Sequence, residues 1–89
     1  MPDELLTPII EMLDLLNEDT SVPRNVRSVL AEAKAKLKDE KEEFVTRVSG
    51  AIYSLDEVSN DINLPMHART MIWNLLSELE SMKEKELDN

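Results

Sequence analysis

Apolar residues recur at helical spacing in four stretches of the chain. That period is typical of amphipathic helices, whereas a strand needs alternating apolar and polar positions, and no such run occurs. The pattern predicts helices over residues 3–17, 23–38, 41–59 and 65–83, followed by a charged C-terminus, 84–89, that frays. We therefore expect one all-α domain over residues 1–89, either a compact four-helix bundle or a short stack of helices.

The first helix has two possible starts and an unusually wide apolar face. Either Thr7 caps it and Pro8 is its first residue, or it begins near Asp3 and Pro8 lies in its first turns. Met12 and Leu15 lie beside the main apolar stripe, so the helix is either central to the bundle or partly an interface. Because a chain of this size has a small core, the central position is favoured.

The boundary between the second and third helices carries no Gly or Pro. One long helix through residues 38–43 is therefore an alternative, but a break near Asp39 is favoured. Lys36 and Lys38 suit a helix C-terminus, and the acidic residues that follow suit an N-terminus. Gly50 lies inside the third helix, where it marks either the close approach of another backbone or a tolerated exposed position.

A pattern D-x-x-[VL]-P-x-x-[VA]-R occurs twice, each time where a helix is about to begin. A weaker third copy is indicated by Arg47, near the start of the third helix. The residues assigned a structural role in starting helices are Asp19, Pro23, Arg27, Arg47, Asp61, Pro65 and Arg69. Each arginine is expected to bond to the Asp or the carbonyl groups of its own turn; the alternative is that the three line one side and meet phosphate.

Three segments resemble the uncharacterised archaeal protein family number 0147: EDTSVPRNVR, RVSGAIYSLDEVSND and LPMHARTMIWNLLSELE. The resemblance covers about Leu13 to Glu80, and its most specific parts are the two D-x-x-[VL]-P-x-x-[VA]-R copies, AIYSLDE and IWNL. It implies a short all-helical protein of archaeal cytosolic origin with no assigned activity. It also implies the break near Asp39.

Charge and composition argue against two classes of partner. The net charge of -9 repels nucleic-acid backbones and anionic lipid, so bulk nucleic-acid binding and membrane association are not expected. The N-terminal residues are acidic where a secretory signal is basic, and no apolar run approaches the ~20 residues that span a bilayer. We expect a cytoplasmic protein. The absence of cysteine is compatible with that compartment.

The sequence offers no catalytic, metal or cofactor site. His67 is the only histidine, and a solvent-facing or capping role suits it better than that of ligand or base. A single glycine excludes a glycine-rich phosphate loop, and the acidic run 39–43 is typical of a solvated surface. We therefore do not expect an enzyme.

Trp73 is the leading candidate for a functional residue. It lies about 130° from the centre of the apolar stripe of the fourth helix, taking about 100° per residue. It is therefore either covered by a neighbouring helix or available to a partner, and cover within the chain is slightly favoured for a four-helix protein of this size. Arg69, four residues earlier, is placed to stack on its ring. The candidate interface residues are Trp73, Met66, Arg69, Met12, Leu15 and Tyr53.

Two functions are compatible with these patterns. The first is a helical protein-interaction or adaptor module that binds another protein or a second copy of itself. The alternative is an accessory protein of a nucleic-acid complex that contacts phosphate through Arg27, Arg47 and Arg69.

Overall fold

Helices account for most of the described chain. The computed structural model describes residues 2–88, and its helices are α1 (Pro2–Leu5), α2 (Thr7–Glu18), α3 (Arg24–Leu37), α4 (Phe44–Val58) and α5 (Met66–Asp88). No strand occurs within residues 2–88, so the all-α prediction is confirmed. Met1 and Asn89, the ends of the predicted domain and frayed tail, lie outside the described residues. None of the described helices combines the length and apolar character needed to cross a bilayer.

The chain begins with two helical segments instead of the single helix predicted. Leu6 separates the one-turn α1 from α2, and its carbonyl accepts the N–H of Ile10 at 2.9 Å. Pro8 is accommodated in the first turn of α2, where its missing N–H leaves no helical bond unmade. The predicted start with Thr7 as cap was wrong, because Thr7 is already helical and no side chain caps α2. The alternative start near Asp3 is close to the structure, since helix begins at Pro2 and Leu6 between the two segments keeps a right-handed helical backbone with φ -83° and ψ -16°.

The core is formed where α4 packs against α3 on one side and α5 on the other. Its fully or nearly buried apolar residues are Leu6, Ile9, Leu13, Leu16, Val22, Val26, Leu30, Ala33, Leu37, Val48, Ala51, Leu55, Val58, Leu64, Ala68, Ile72, Leu75 and Leu79. The first long helix, α2, packs mainly on α3 and makes a smaller contact with α5. The prediction that it is central was wrong, since that place belongs to α4.

The chain breaks between α3 and α4, as predicted near Asp39. Helix α3 ends at Leu37, and Glu43 has an extended backbone with φ -67° and ψ 153°, so α4 begins at Phe44. The third helix was predicted to start at residue 41 and begins three residues later, whereas the two proline-led helices begin one residue later than predicted. Pro23 has ψ 146° and precedes Arg24, the first residue of α3. Pro65 holds the same place before Met66, and its carbonyl accepts the first helical N–H of α5.

Helix α5 extends beyond its predicted end near residue 83. It continues to Asp88 because the segment after Met82 consists mostly of lysine, glutamate and leucine, which favour helix even without packing. Its 23 residues correspond to a length of about 35 Å, close to the 38 Å long axis of the molecule. Leu79 is the last fully buried residue, and in the turns that follow only Met82 packs partly against the core.

Candidate interaction surface

Three turns of the same geometry connect α2 to α5, and we call them Asp turns. In each turn, the N–H of an Asp bonds to the carbonyl three residues earlier and ends the preceding helix, at 3.2 Å for Asp19, 3.3 Å for Asp39 and 3.1 Å for Asp61. The Asp carboxylate accepts the N–H two residues later, and the Asp carbonyl accepts the N–H three residues later. No residue in 2–88 has positive φ, so these turns end helices without a left-handed glycine.

The turn at Asp39 is a full third copy, although the sequence indicated it only through Arg47. Glu42 and Glu43 stand where the other copies have an apolar residue and proline, so the sequence pattern is broken while the backbone geometry is kept. The spacing from Asp to Arg was the available signal. It is the same in all three copies, with Asp39 and Arg47 separated as Asp19 and Arg27 are.

The first and third Asp turns bond to each other reciprocally. His67 Nε2 lies 2.7 Å from Asp19 Oδ2. Because a carboxylate oxygen accepts, the ring N–H of His67 donates this hydrogen bond. In return, Asn25 Nδ2 donates to Asp61 Oδ2 at 3.1 Å. Asn25 and His67 occupy equivalent positions, each two residues after the proline of its own turn. The expected solvent-facing or capping role of His67 is thus refined, because it contacts a turn distant in sequence.

Hydrogen bonds in these turns lower the pKa of both carboxylates. The pKa of Asp19 falls from 3.8 to about 2, because the carboxylate accepts the Ser21 hydroxyl, the His67 ring N–H and the Ser21 backbone N–H. The pKa of Asp61 is lowered mainly by the backbone N–H of Asn63, with a smaller effect of the Asn25 amide.

Arg27 and Arg69 bind back to their own turns, as expected. Arg27 Nε donates to the carbonyl of Val22 at 3.1 Å, and Arg69 Nη2 donates to the carbonyl of Asp61 at 2.8 Å. These bonds tie the first turn of α3 and of α5 to the chain that precedes it. The guanidinium of Arg69 points to its turn, and the cation–π contact found within residues 2–88 does not involve Trp73.

Arg47 is buried, which removes it from any phosphate-binding surface. Its exposed fraction is 6%, and its guanidinium carbon lies 5.9 Å from the centroid of the Phe44 ring. An accessory role on nucleic acid required three accessible arginines. With Arg47 inside the fold and the other two bonded to carbonyls, the row of guanidinium groups expected for that role is not present on the surface.

The outer face of α5 exposes large apolar side chains. Met66 is 71% exposed and Trp73, two helical turns later, is 51% exposed. Ile62, in the turn that precedes α5, is also exposed. Thr70, between Met66 and Trp73 on the same face, is exposed and uncharged. The favoured prediction, that a neighbouring helix covers Trp73, was wrong, since this side chain is half in solvent.

The remaining candidate interface residues do not form part of this face. Met12 packs against the core and is not a free surface residue, because the wide apolar arc of α2 is partly covered. Leu15 on α2 is 61% exposed and Tyr53 on α4 is 73% exposed. They are single exposed side chains on other helices, which is ordinary for a protein surface.

The described residues show no arrangement suited to metal binding. No three His, Cys, Asp or Glu side chains within them are close enough to share a metal ion. The single imidazole, that of His67, is engaged by Asp19 at the surface.

Comparison with known proteins identifies the family. The family described as "Uncharacterised protein family (UPF0147)" matches residues 1–82. A UPF0147 protein of Methanocaldococcus jannaschii is 48% identical over 82 residues, covering 92% of this chain and 88% of the relative. A UPF0147 protein of Archaeoglobus fulgidus is 49% identical over 75 residues, covering 84% of this chain and 85% of the relative.

Two solved structures have the same fold. The crystal structure of the unknown-function protein MMP1188 gives a TM-score of 0.86 at 44% identity, covering 91% of this chain and 92% of the other. A UPF0147 crystal structure from Thermoplasma acidophilum gives 0.83 at 39% identity, covering 89% and 93%. The resemblance seen in the sequence is confirmed: this chain belongs to UPF0147, an uncharacterised family of archaeal proteins whose function is unassigned.

Proposed function

We propose that this protein is a non-enzymatic helical interaction module that binds another protein through the outer face of α5. The observation that carries the proposal is the half-exposed indole of Trp73, with Met66 two turns away on the same face. An exposed Trp beside a Met is typical of a contact surface, because both side chains give a large apolar area.

The charge distribution around Trp73 supports this choice of surface. Residues 66–77 contain no Asp or Glu, although the chain has 19 acidic residues. The cation of that segment, Arg69, is held by the carbonyl of Asp61. A partner can therefore cover the first three turns of α5 without burying an unpaired carboxylate, which is the main electrostatic cost of forming an interface on an acidic protein.

The expected gain from covering Trp73 is that of one anchor residue within a larger interface. A Trp side chain offers roughly 200 Å², so covering the exposed half removes about 100 Å² from water and contributes about 2.5 kcal/mol. That value reaches the range of an interface hot spot, which is about 2 kcal/mol or more.

The non-enzymatic part of the proposal rests on the engagement of the one histidine. His67 is bonded to Asp19 at the surface, where its side chain is 57% exposed. The proposal also places the module in the cytoplasm, in keeping with its acidic, cysteine-free composition.

The test is affinity capture from a native archaeal extract with three baits: the unmodified protein, Trp73→Ala, and Tyr53→Ala as the matched control. Tyr53 is an exposed aromatic residue on α4, a different helix from the one that carries the proposed surface. We expect one partner to be retained by the unmodified protein and by Tyr53→Ala, and its affinity for Trp73→Ala to fall at least about tenfold. Equal retention by all three baits would place the contact elsewhere.

A further inference from the structure

A mostly apolar groove of about 400 Å³ lies between the start of the chain and the end of α5. Leu5 and Pro8 form one wall, and Ser81 and Met82 are on the other. Leu5 and Pro8 are exposed, so the apolar wall is in contact with solvent. The groove faces a different side of α5 from Trp73, since Ser81 and Trp73 are about 80° apart around the helix, at about 100° per residue.

The α5 wall of the groove carries one acidic and one basic side chain. Glu78 and Lys85 both line it, seven residues apart and therefore on the same side of the helix. Both are exposed, and neither forms a salt bridge within residues 2–88. Ser81 and Met82 lie midway between them, and the small Ser81 allows another helix to come close.

This charge pattern is complementary to itself. If two copies of α5 cross in antiparallel orientation at Ser81 and Met82, Glu78 of one copy lies opposite Lys85 of the other, and the same pair forms again across the two-fold axis. Antiparallel pairing of one surface with itself is the ordinary geometry of a two-fold dimer. A strongly basic partner would pair with Glu78 and be repelled by Lys85, whereas a second copy satisfies both.

We infer that this groove is a self-association surface, occupied by the α5 helix of a second copy in antiparallel orientation. Association buries Leu5, Pro8 and Met82 and forms two Glu78–Lys85 pairs, at a site independent of the Trp73 face. Glu4 is the other charged residue that lines the groove, and it lies on the wall opposite α5. It gives each groove an excess negative charge. Replacing Glu4 by Gln should therefore strengthen association.

The test uses charge-reversed variants measured by sedimentation over a range of protein concentration. The unmodified protein is expected to form a concentration-dependent dimer. Glu78→Lys alone places like charges opposite each other, as does Lys85→Glu alone, and each should dimerise at least tenfold more weakly. An equimolar mixture of the two variants should associate again, because the mixed dimer regains both opposite-charge pairs. The double variant Glu78→Lys/Lys85→Glu should also dimerise.

Several results would overturn the inference. A monomer at all concentrations would do so, as would variants that dimerise like the unmodified protein, or a mixture of folded variants that fails to associate. Circular dichroism verifies that each variant is folded. The mixture is a second check on folding, because it contains only the two variants that should dimerise weakly when alone. Trp73→Ala should leave the dimer intact. If it dissociates the dimer while the charge variants do not, the association belongs to the outer face of α5 and the groove is not the interface.

Discussion

Asp19 and His67 lie 48 residues apart in the chain and meet at 2.7 Å, where the first Asp turn contacts the start of α5. The bond is matched by that of Asn25 to Asp61, which runs in the opposite direction between the same two turns. The two hydrogen bonds join the start of α3 to the start of α5, and both of these helices pack on α4.

The two reciprocal bonds should be energetically coupled, because each holds the same two turns in register. Replacing His67 or Asn25 by Ala should lower the free energy of unfolding by about 1 kcal/mol or less, as is usual for exposed hydrogen bonds. In the double variant the loss should be about 0.5 kcal/mol smaller than the sum, since the first change already weakens the second bond. Urea unfolding of the four proteins measures this cycle, with Asn74→Ala as an exposed control on α5. Strict additivity would show that the turns act independently.

Stability should fall in acid through the carboxylate of Asp19. Its pKa is about 2 in the folded protein against an ordinary 3.8, so folding favours the ionised form. The stabilisation is fully present above pH 3.8 and is lost as the pH falls towards about 2. The difference in Tm between the unmodified protein and Asp19→Asn should therefore shrink over that interval, as followed by circular dichroism. Asp56→Asn, an exposed carboxylate on α4, is the control. A difference in Tm that stays constant down to pH 2 would contradict the assignment.

Gly50→Ala should stabilise the protein. Alanine favours a helix interior by about 1 kcal/mol over glycine. Its Cβ would lie 3.1 Å from Cδ of Lys36, whose Nζ donates to the Ser54 hydroxyl at 2.7 Å, so this exposed side chain must shift by a few tenths of an ångström. The gain should be smaller than about 1 kcal/mol in the unmodified protein and complete in a Lys36→Ala background. Destabilisation in both backgrounds would mean that the backbone of α4 itself needs glycine there.

The contribution of leucine to stability should depend on its place in the fold. Leu55 on α4 is fully buried, and Leu55→Ala should cost about 2–5 kcal/mol through lost burial and the cavity left behind. Leu15 on α2 is 61% exposed, and Leu15→Ala should change stability by no more than about 0.5 kcal/mol. Both free energies come from denaturant unfolding. A large loss at Leu15 would show that this side chain is covered in solution, for instance by another chain.

Arg69 should contribute to stability more than the exposed Arg24 at the start of α3. Removing the charged donor to the carbonyl of Asp61 should cost about 1.5–3 kcal/mol in Arg69→Ala. Arg24 is exposed, and Arg24→Ala should be within about 0.5 kcal/mol of neutral. Thermal and urea unfolding give both values. Equal effects would show that the bond to the turn carbonyl adds nothing.

The sequence predicted those parts of the fold that depend on residues close to one another in the chain. The apolar period indicates all four longer helices, and the spacing from Asp19 to Arg27 indicates a turn whose bonds join near neighbours. The end of α5 was misplaced because charge was taken as a sign of fraying, although lysine and glutamate favour helix. Pro23 was predicted to be the first residue of its helix. Its ψ of 146° is extended, so α3 begins one residue later, at Arg24.

The contacts between distant segments could not be predicted from one sequence. Nothing near Asn25 indicates Asp61, and the nearest carboxylates to His67 in sequence were not its partner. The candidate surface was found in part: Trp73 was placed off the core stripe by helical geometry alone, whereas the groove depends on where α1 lies against α5. Burial of Arg47 was likewise decided by packing, which a repeated motif does not reveal.

The last turns of α5 lie beyond Leu79, the last fully buried residue, so on the core side only the partly buried Met82 covers their backbone hydrogen bonds. Amide protons there should exchange with deuterium far sooner than those of α4, which is covered by helices on two sides. Because those same turns form one wall of the groove, any molecule that fills the groove should slow their exchange. The deuterium uptake of one peptide, residues 80–88, would then report on occupancy of the groove without a label or a mutation.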